Sequence, residues 1–390
     1  MKSRKFGSTG LEVSPLGFGC MRLPVIDEDS NKINEPEAIK MIRWAIDNGV
    51  DYVDTAYPYH GGNSELLVAK ALKDGYREKV TLATKLPMYK VEKTEDFDNL
   101  LNEQLGKLEV DQVDVYMLHA LNADRWEKAK ELGVLDWLQK PKEDGRVRLI
   151  GFSFHDEYAV FEQIMNDYDG WDFCQIQYNY MDIEEQAGLK GLKLAAERDI
   201  AVIVMEPLLG GKLANLPEPI SKLMTDHAAD RSQVDWALNW LWDQPEVSVV
   251  LSGMSTMEQV EEDVALAANS GIGTMSEAEK AIIAEVRETF HTSMPIHCTF
   301  CEYCLPCPHG VFIPRIFEHY NRAVMFDNWG TSRFRYGQMP AEIKADKCVE
   351  CGECEEACPQ SLDIIEWLKV AETVMGEEKA DYDTSKHPAH

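Results

Sequence analysis

Cysteine is almost missing from the first three quarters of this chain: of ten cysteines in 390 residues, only Cys20 and Cys174 precede residue 298. A disulfide framework spread along the whole chain is thereby excluded. Long hydrophobic runs are missing too, and no stretch approaches the roughly 18 apolar residues that a membrane span needs. Positive charge is scarce, with 39 basic against 68 acidic residues and a net charge of −29. That balance argues against nucleic acid or an anionic membrane as partner, because both select a basic face. The start, Met1 to Phe6, has no apolar segment behind it, so nothing marks the chain for export and a cytoplasmic location is expected. A G-x-G-x-x-G turn after a strand is also lacking, which argues against a Rossmann dinucleotide site.

What is present is a long alternation. Short β-branched runs occur at 15–20, 50–56, 80–86, 113–119, 149–154, 173–178, 201–206 and 248–252. Amphipathic stretches lie between them at 35–48, 64–72, 94–108, 158–166, 185–198 and 232–242, with another at 257–269. Eight alternating units in some 270 residues predict a (β/α)8 barrel rather than a doubly wound sheet. The barrel is expected over residues 1–290, followed by a second domain over 291–376 and a polar tail over 377–390. Trp236 and Trp240, four apart on one predicted helix, read as core packing, and Cys174 as a small buried hydrophobe.

Chemistry in such a barrel sits at the carboxyl ends of the strands. Asp54 and Tyr59 lie at and just past the end of the second strand, Lys85 closes the third and His119 the fourth. A tyrosine hydroxyl is a poor acid at neutral pH unless nearby cations lower it, so Lys85, balanced by Asp54, is expected to do that for Tyr59. His119 would orient a carbonyl by hydrogen bonding. Cys20, His60 and His155 lie close enough to the presumed mouth to be candidates for touching substrate or cofactor. Asp, Tyr, Lys and His in this order, after Gly17-Phe18-Gly19-Cys20-Met21-Arg22, resemble the aldo-keto reductase family from about Ser3 to Phe290. The resemblance implies carbonyl reduction, or alcohol oxidation, with a nicotinamide cofactor and Asp54, Tyr59, Lys85 and His119 as the catalytic set.

The same resemblance puts Ser153 and Gln175 on the nicotinamide carboxamide and Met205 where the family stacks an aromatic ring. It puts Gly253, Ser255, Thr256 and Gln259 along the adenosine phosphate. Members specific for NADP usually carry Lys and Arg where this chain has Gly253 and Gln259. Four carboxylates, Glu258, Glu261, Glu262 and Asp263, follow within six residues. A 2′-phosphate would be poorly compensated there, so NAD(H) is as well suited as NADP(H). Ser255 and Thr256 at a helix start suit an anion, and equally suit plain helix capping.

From Cys298 the chain reads Cys298-x2-Cys301-x2-Cys304-x2-Cys307-Pro308, and later Cys348-x2-Cys351-x2-Cys354-x3-Cys358-Pro359. In two-cluster ferredoxins three closely spaced cysteines wrap one [4Fe–4S] cluster and the fourth, before Pro, ligates the other. Cys298, Cys301, Cys304 and Cys358 are therefore assigned to one cluster, and Cys348, Cys351, Cys354 and Cys307 to the second. The first run departs from the usual spacing at Cys307. Zinc, which favours two cysteine pairs around one ion, suits evenly spaced triplets less well. Ile313, Ile316, Phe317, Tyr320 and Val324, and later Leu362, Ile365 and Leu368, recur at helical spacing, which predicts an α-helical dicluster module.

The combined expectation is an aldo-keto reductase-type oxidoreductase acting on a small carbonyl or alcohol, with the clusters as electron relay and a redox protein as a further partner. A second reading makes the clusters a structural or partner-docking module on a barrel that works alone. Hydride carries two electrons and a cluster passes one, so the first reading leaves room for a flavin as converter.

Overall fold

The computed structural model describes residues 1–325 and 329–376; the tail expected over 377–390 lies outside them. It divides into two compact units, Met1–Ala214 with Ser232–Glu277, and Asn215–Arg231 with the chain from Ala278 on.

In the first unit eight strands close a barrel: β1 (Leu16–Gly19), β2 (Tyr52–Asp54), β3 (Thr81–Leu86), β4 (Val113–Leu121), β5 (Val147–Phe154), β6 (Phe173–Gln177), β7 (Ala201–Met205) and β8 (Val247–Gly253). Each pairs in parallel with the next, and β8 returns to β1. All eight expected strands are present. Strands covered on both faces read as continuous apolar runs, and every residue of β3 and β6 is buried.

The period of two divides these residues between two cores. Tyr52, Ala83, Val115, Met117, Phe173, Ile203 and Leu251 fill the barrel interior. Val53, Leu82, Tyr116, Leu118 and Phe152 point outward to the helices. Gly151 on β5 makes room inside, since a Cβ there would stand 2.2 Å from the Phe173 carbonyl oxygen and 2.7 Å from its ring. The floor is closed by a hairpin of Arg4–Lys5 with Glu12–Val13, whose Phe6 packs on Phe173 and Tyr52 from below.

The helices, in chain order, are α1 (Glu35–Asp47), α2 (Ser64–Ala71), α3 (Glu95–Leu108), α4 (Ala123–Glu131), α5 (Val134–Glu143), α6 (Tyr158–Asp167), α7 (Gly188–Glu197), α8 (Glu218–His227), α9 (Gln233–Trp242) and α10 (Met257–Asn269). Of these α8 belongs to the second unit. Trp236 and Trp242 on α9 are fully buried and Trp240 packs on Tyr178, as core residues do. The stretch from Leu121 to Asp136, between the fourth and fifth expected strands, forms α4 and the start of α5. Its helical pattern is faint because α4 buries only Trp126 and Ala129, while the Asn122 side chain starts it by accepting from the Arg125 N–H at 2.9 Å.

The second unit continues through α11 (Glu277–Ser293), α12 (Ile313–Met325), α13 (Trp329–Gln338), α14 (Glu353–Glu356) and α15 (Ile364–Met375). Its own core gathers Ile313, Ile316, Phe317 and Tyr320 from α12 with Trp367 and Leu368 from α15, and Cys298, Cys304, Cys307, Cys348, Cys354 and Cys358 pack against it. It contains no strand among the described residues, in line with the helical module expected. No helix among the described residues is long and apolar enough to cross a membrane.

Candidate active site

The inward plug of the barrel fixes what lies above it. Two residues further along each strand the side chain returns to the same face, so above Tyr52 comes Asp54, above Ala83 Lys85, above Met117 His119 and above Gly151 Ser153. Above Phe173 comes Gln175, above Ile203 Met205, and above Leu251 Gly253. Seven of the expected site residues thus follow the apolar plug on the inward face, one on each of seven strands.

Among them the Lys85 ammonium donates to Asp54 Oδ1 at 2.5 Å and to the Thr55 carbonyl at 2.8 Å. Both side chains are buried. Burial pushes the Asp54 carboxyl up, and Lys85 opposes that. Burial also works against the Lys85 charge, yet Asp54 and Tyr59 together lift it above the ordinary lysine value, so it stays an ammonium.

Tyr59 follows β2 on a tight turn, half-buried, with Lys85 Nζ 5.0 Å from its ring centre and the His119 ring edge-on at 6.2 Å. His60 holds this turn. Its Nδ1 meets the Ser30 carbonyl at 2.6 Å and must donate, leaving Nε2 to accept from the Leu23 N–H at 3.3 Å. That is a structural task, and it accounts for His60 without substrate contact. Cys20 is buried, its thiol pushed up by burial and then by Asp54, which makes it inert packing.

The expected lowering of the Tyr59 hydroxyl does not emerge in sum. Burial raises it and Lys85 only opposes the rise, so Tyr59 rests protonated. His119 is held well below the usual imidazole value by burial, and further by the charges of Lys85, His155 and Arg125. It is a neutral imidazole. The arrangement offers a protonated hydroxyl and a neutral N–H at one opening, above a fixed cation.

Ser153 and Gln175 are register partners on β5 and β6. Ser153 Oγ accepts from the Ala120 N–H at 2.7 Å. Gln175 Nε2 reaches Met205 Sδ at 3.4 Å, while Gln175 Oε1 is buried with no partner. A buried acceptor left over in this way suits an amide N–H₂, so the residues fit a nicotinamide carboxamide. Around α10, Thr256 Oγ1 accepts from the Gln259 N–H at 3.4 Å and Gln259 Oε1 from the Ser255 N–H at 2.8 Å, a reciprocal cap. Of the four carboxylates counted nearby, Asp263 is turned inward, 3% exposed, and burial against the help of Ser252 pushes it up to about 7. Three remain to face an anion.

Arg22 is a residue the sequence reading passed over. Its side-chain carbons lie 3.4 Å from where a Gly253 Cβ would stand, its Nη2 3.9 Å from that of Gly210, and its carbonyl accepts from Ser255 Oγ at 2.8 Å. The cation therefore spans the loops after β7 and β8. The only sign of it in the sequence is its place in the turn after the first strand.

Thr84, Lys85, Glu65 and Gln104 form a further buried cluster. Glu65 Oε1 accepts from Thr84 Oγ1 at 2.7 Å and Gln104 Nε2 at 2.6 Å, and Gln104 Nε2 also donates to the Lys85 carbonyl at 3.0 Å. This brace fixes the end of β3.

In the second unit none of the eight late cysteines is in a disulfide. Burial pushes the Cys304 thiol up to about 12, and the charges of Cys298, Cys301 and Cys358 add to it. Burial raises Cys354 to about 11, helped by Glu355, Cys348 and Cys307. The charge of Cys358 thus acts on a member of the first run and that of Cys307 on a member of the second. Cys307, Cys348, Cys351 and Cys354 line one cavity together with Val311, Ile313 and Leu368. Soft thiolates that repel one another around an apolar-walled cavity suit a cationic iron core, so this donor set fits an iron–sulfur cluster.

Comparison with known proteins agrees with both halves. Residues 15–275 match the aldo/keto reductase family model, and residues 297–362 match a 4Fe-4S dicluster domain. A probable aldo-keto reductase 1 of Glycine max is 29% identical over 301 residues, 67% of this chain and 82% of that one. An L-galactose dehydrogenase of Arabidopsis thaliana is 29% identical over 294 residues, 67% of this chain and 86% of the other. Among solved structures, an aldo-keto reductase of Bacillus halodurans in its holo form superposes with a TM-score of 0.61 at 25% identity, covering 73% of this chain and 96% of that chain. The chain belongs to the aldo/keto reductase family, an oxidoreductase barrel continued by a 4Fe-4S dicluster domain.

Proposed function

We propose that the barrel reduces a small carbonyl, or oxidises the matching alcohol, with a nicotinamide cofactor, and that two [4Fe–4S] clusters relay electrons. The observation that carries the reading is the buried Lys85–Asp54 pair under a protonated Tyr59 with neutral His119 at its edge. A bound nicotinamide supplies or takes the hydride, two electrons at once, whereas each cluster passes one.

The chain's own part is electrostatic. His119 donates a hydrogen bond to the carbonyl oxygen and aims it at Tyr59. Tyr59 delivers its proton to that oxygen as negative charge builds there. Lys85, held as an ammonium by Asp54, stabilises the tyrosinate left behind. In oxidation the same proton returns to Tyr59, and the L-galactose dehydrogenase among the relatives supports that direction as well. Ser153, Gln175 and Met205 would hold the nicotinamide, and Gly253, Ser255, Thr256 and Gln259 the adenosine end. Cys298, Cys301, Cys304 and Cys358 would ligate one cluster, and Cys307, Cys348, Cys351 and Cys354 the other.

The test is an anaerobic titration of iron-reconstituted protein with NADH and then NADPH, following the cluster charge-transfer band beside the nicotinamide absorbance. Bleaching of the band supports the relay. If nicotinamide is consumed only with a carbonyl present and the band stays, the barrel works alone and the clusters are structural or serve a separate partner. Tyr59→Phe tests the tetrad: we expect a fall in turnover of about 10²- to 10⁴-fold with the cluster spectrum intact. Retained turnover would refute it.

A further inference from the structure

Arg125 stands at the same opening with an unspent charge. It lies in the first turn of α4, half-buried, and one Nη1 N–H is fixed on the carbonyl of Ala120, the residue after His119, at 2.6 Å. Ala120 is itself held from the other side by Ser153 Oγ and takes a positive φ of 53°. The guanidinium is therefore tied to the strand end that carries His119, and its charge reaches both His119 and His155.

Its remaining N–H groups have no hydrogen bond, and no carboxylate lies within ion-pair distance of it among the described residues. In a chain with 68 acidic residues this is unusual, since the other part-buried arginines of the barrel unit are taken. Arg77 is paired with Asp114, Arg146 with Asp98 and Asp144, and Arg43 with Asp74. The nearby Asp156 is occupied by the Ala123 N–H at 2.8 Å. A half-buried guanidinium with no carboxylate partner, tied to the strand end that carries His119, is matched by an anion brought by the substrate.

We propose that Arg125 is the specificity residue of the barrel site and binds a carboxylate carried by the substrate, which makes the substrate class short oxo acids, or hydroxy acids in reverse. The proposal rests on the reading of the tetrad given above. A planar fork with spare N–H groups matches a carboxylate, and a phosphate dianion would need more cations than this acidic surface provides. The carboxylate is a handle and does not react. The carbonyl carbon gains hydride from the reduced nicotinamide, its oxygen gains the Tyr59 proton, and the oxidised nicotinamide leaves.

The test compares kcat/KM for 4-oxobutanoate and its methyl ester on the reconstituted full chain. The acid should be preferred at least about tenfold, and Arg125→Gln should cut the acid-to-ester ratio by about 100-fold, with part restored in Arg125→Lys. A mere loss of packing would depress both substrates and leave the ratio alone. A wild-type ratio near one, or a ratio that survives Arg125→Gln, overturns the proposal. If Arg125→Gln fails to fold, the wild-type ratio and competitive inhibition by succinate still decide. Should neither substrate turn over, the tetrad reading fails, and calorimetric binding of succinate to wild type against Arg125→Lys judges Arg125 separately: tighter binding to wild type upholds it, equal or no binding overturns it.

Discussion

Lys85 Nζ lies 2.5 Å from Asp54 Oδ1 past the apolar plug of the barrel interior, and the two side chains are 0% and 3% exposed. The pair is costly to bury and costly to break. Removing one member strands the other without water or counter-charge, a loss of about 3–5 kcal/mol, whereas removing both leaves no orphan. Lys85→Met should therefore destabilise strongly, and Asp54→Asn added to Lys85→Met should restore much of the stability but none of the turnover. Urea unfolding of the single and double variants measures this. A double variant as unstable as the sum of the singles would mean the two residues do not act as a pair.

The eight strands were legible because a parallel barrel buries both strand faces, and runs such as Val113 to Leu118 have no other use. The candidate site was legible for a related reason: Asp54, Lys85 and His119 interrupt those runs at their carboxyl ends, on the face that the plug residues already define. What stayed hidden depends on contacts between segments distant in sequence. Nothing local distinguishes Arg22, whose stem lies across Gly253, and nothing in the sequence shows that Arg125 is left without a carboxylate partner. His60 looked like a mouth residue, and only Ser30 and Leu23, some thirty residues upstream, turn it into a brace. The sign of the Tyr59 shift was also out of reach, because burial and the Lys85 charge oppose each other and sequence gives no measure of burial.

Acid should weaken the barrel through two histidines. Burial holds His119 well below 6.5, and burial, with Gln186 opposing, lowers His155 to about 4. The unfolded chain protonates both near 6.5, so below that pH it binds protons that the folded state refuses. Their contribution is complete above about pH 6.5 and declines as pH falls toward 4. Asp263, held up to about 7, binds its proton more readily folded than unfolded and offsets this, so it is in Asp263→Asn that the urea midpoints at pH 7.5 and pH 5 should differ in favour of the higher pH. Replacing His155 by Gln should shrink the difference, and an unchanged slope would locate the acid sensitivity elsewhere.

Cofactor choice turns on a place where a cation is absent. Gln259 uses its side chain to cap the Ser255 N–H, and Glu258, Glu261 and Glu262 remain nearby after Asp263 has turned inward. From Gln259 a 2′-phosphate gains no charge, and Arg22 beside Gly253 and Ser255 is the cation left to meet it, so NADPH should hold no large advantage over NADH. Gln259→Arg should improve NADPH binding by about tenfold while changing NADH much less, since a charge-assisted pair is gained on one nucleotide alone. Nicotinamide fluorescence titrations read both affinities. Equal improvement for the two would mean that the phosphate does not lie against α10.

The cysteines make the sharpest prediction because sequence neighbourhood and spatial neighbourhood disagree. Cys358 follows Cys354 by four residues, yet the charge of Cys358 acts on Cys304, while Cys354 is raised by Cys348 and Cys307. Gathering eight thiolates in one small unit is costly without a cationic core to bind them, so cluster assembly and folding of this unit should be coupled. Cys358→Ala should therefore damage the cluster held by Cys298, Cys301 and Cys304 and spare the one beside it in sequence. Cys307→Ala should do the reverse. Each variant should lose about half of its iron and sulfide, and the residual reduced-state EPR signals of the two should differ. A Cys358→Ala residual signal that matches that of Cys351→Ala rather than that of Cys301→Ala would show that each run of four wraps its own cluster.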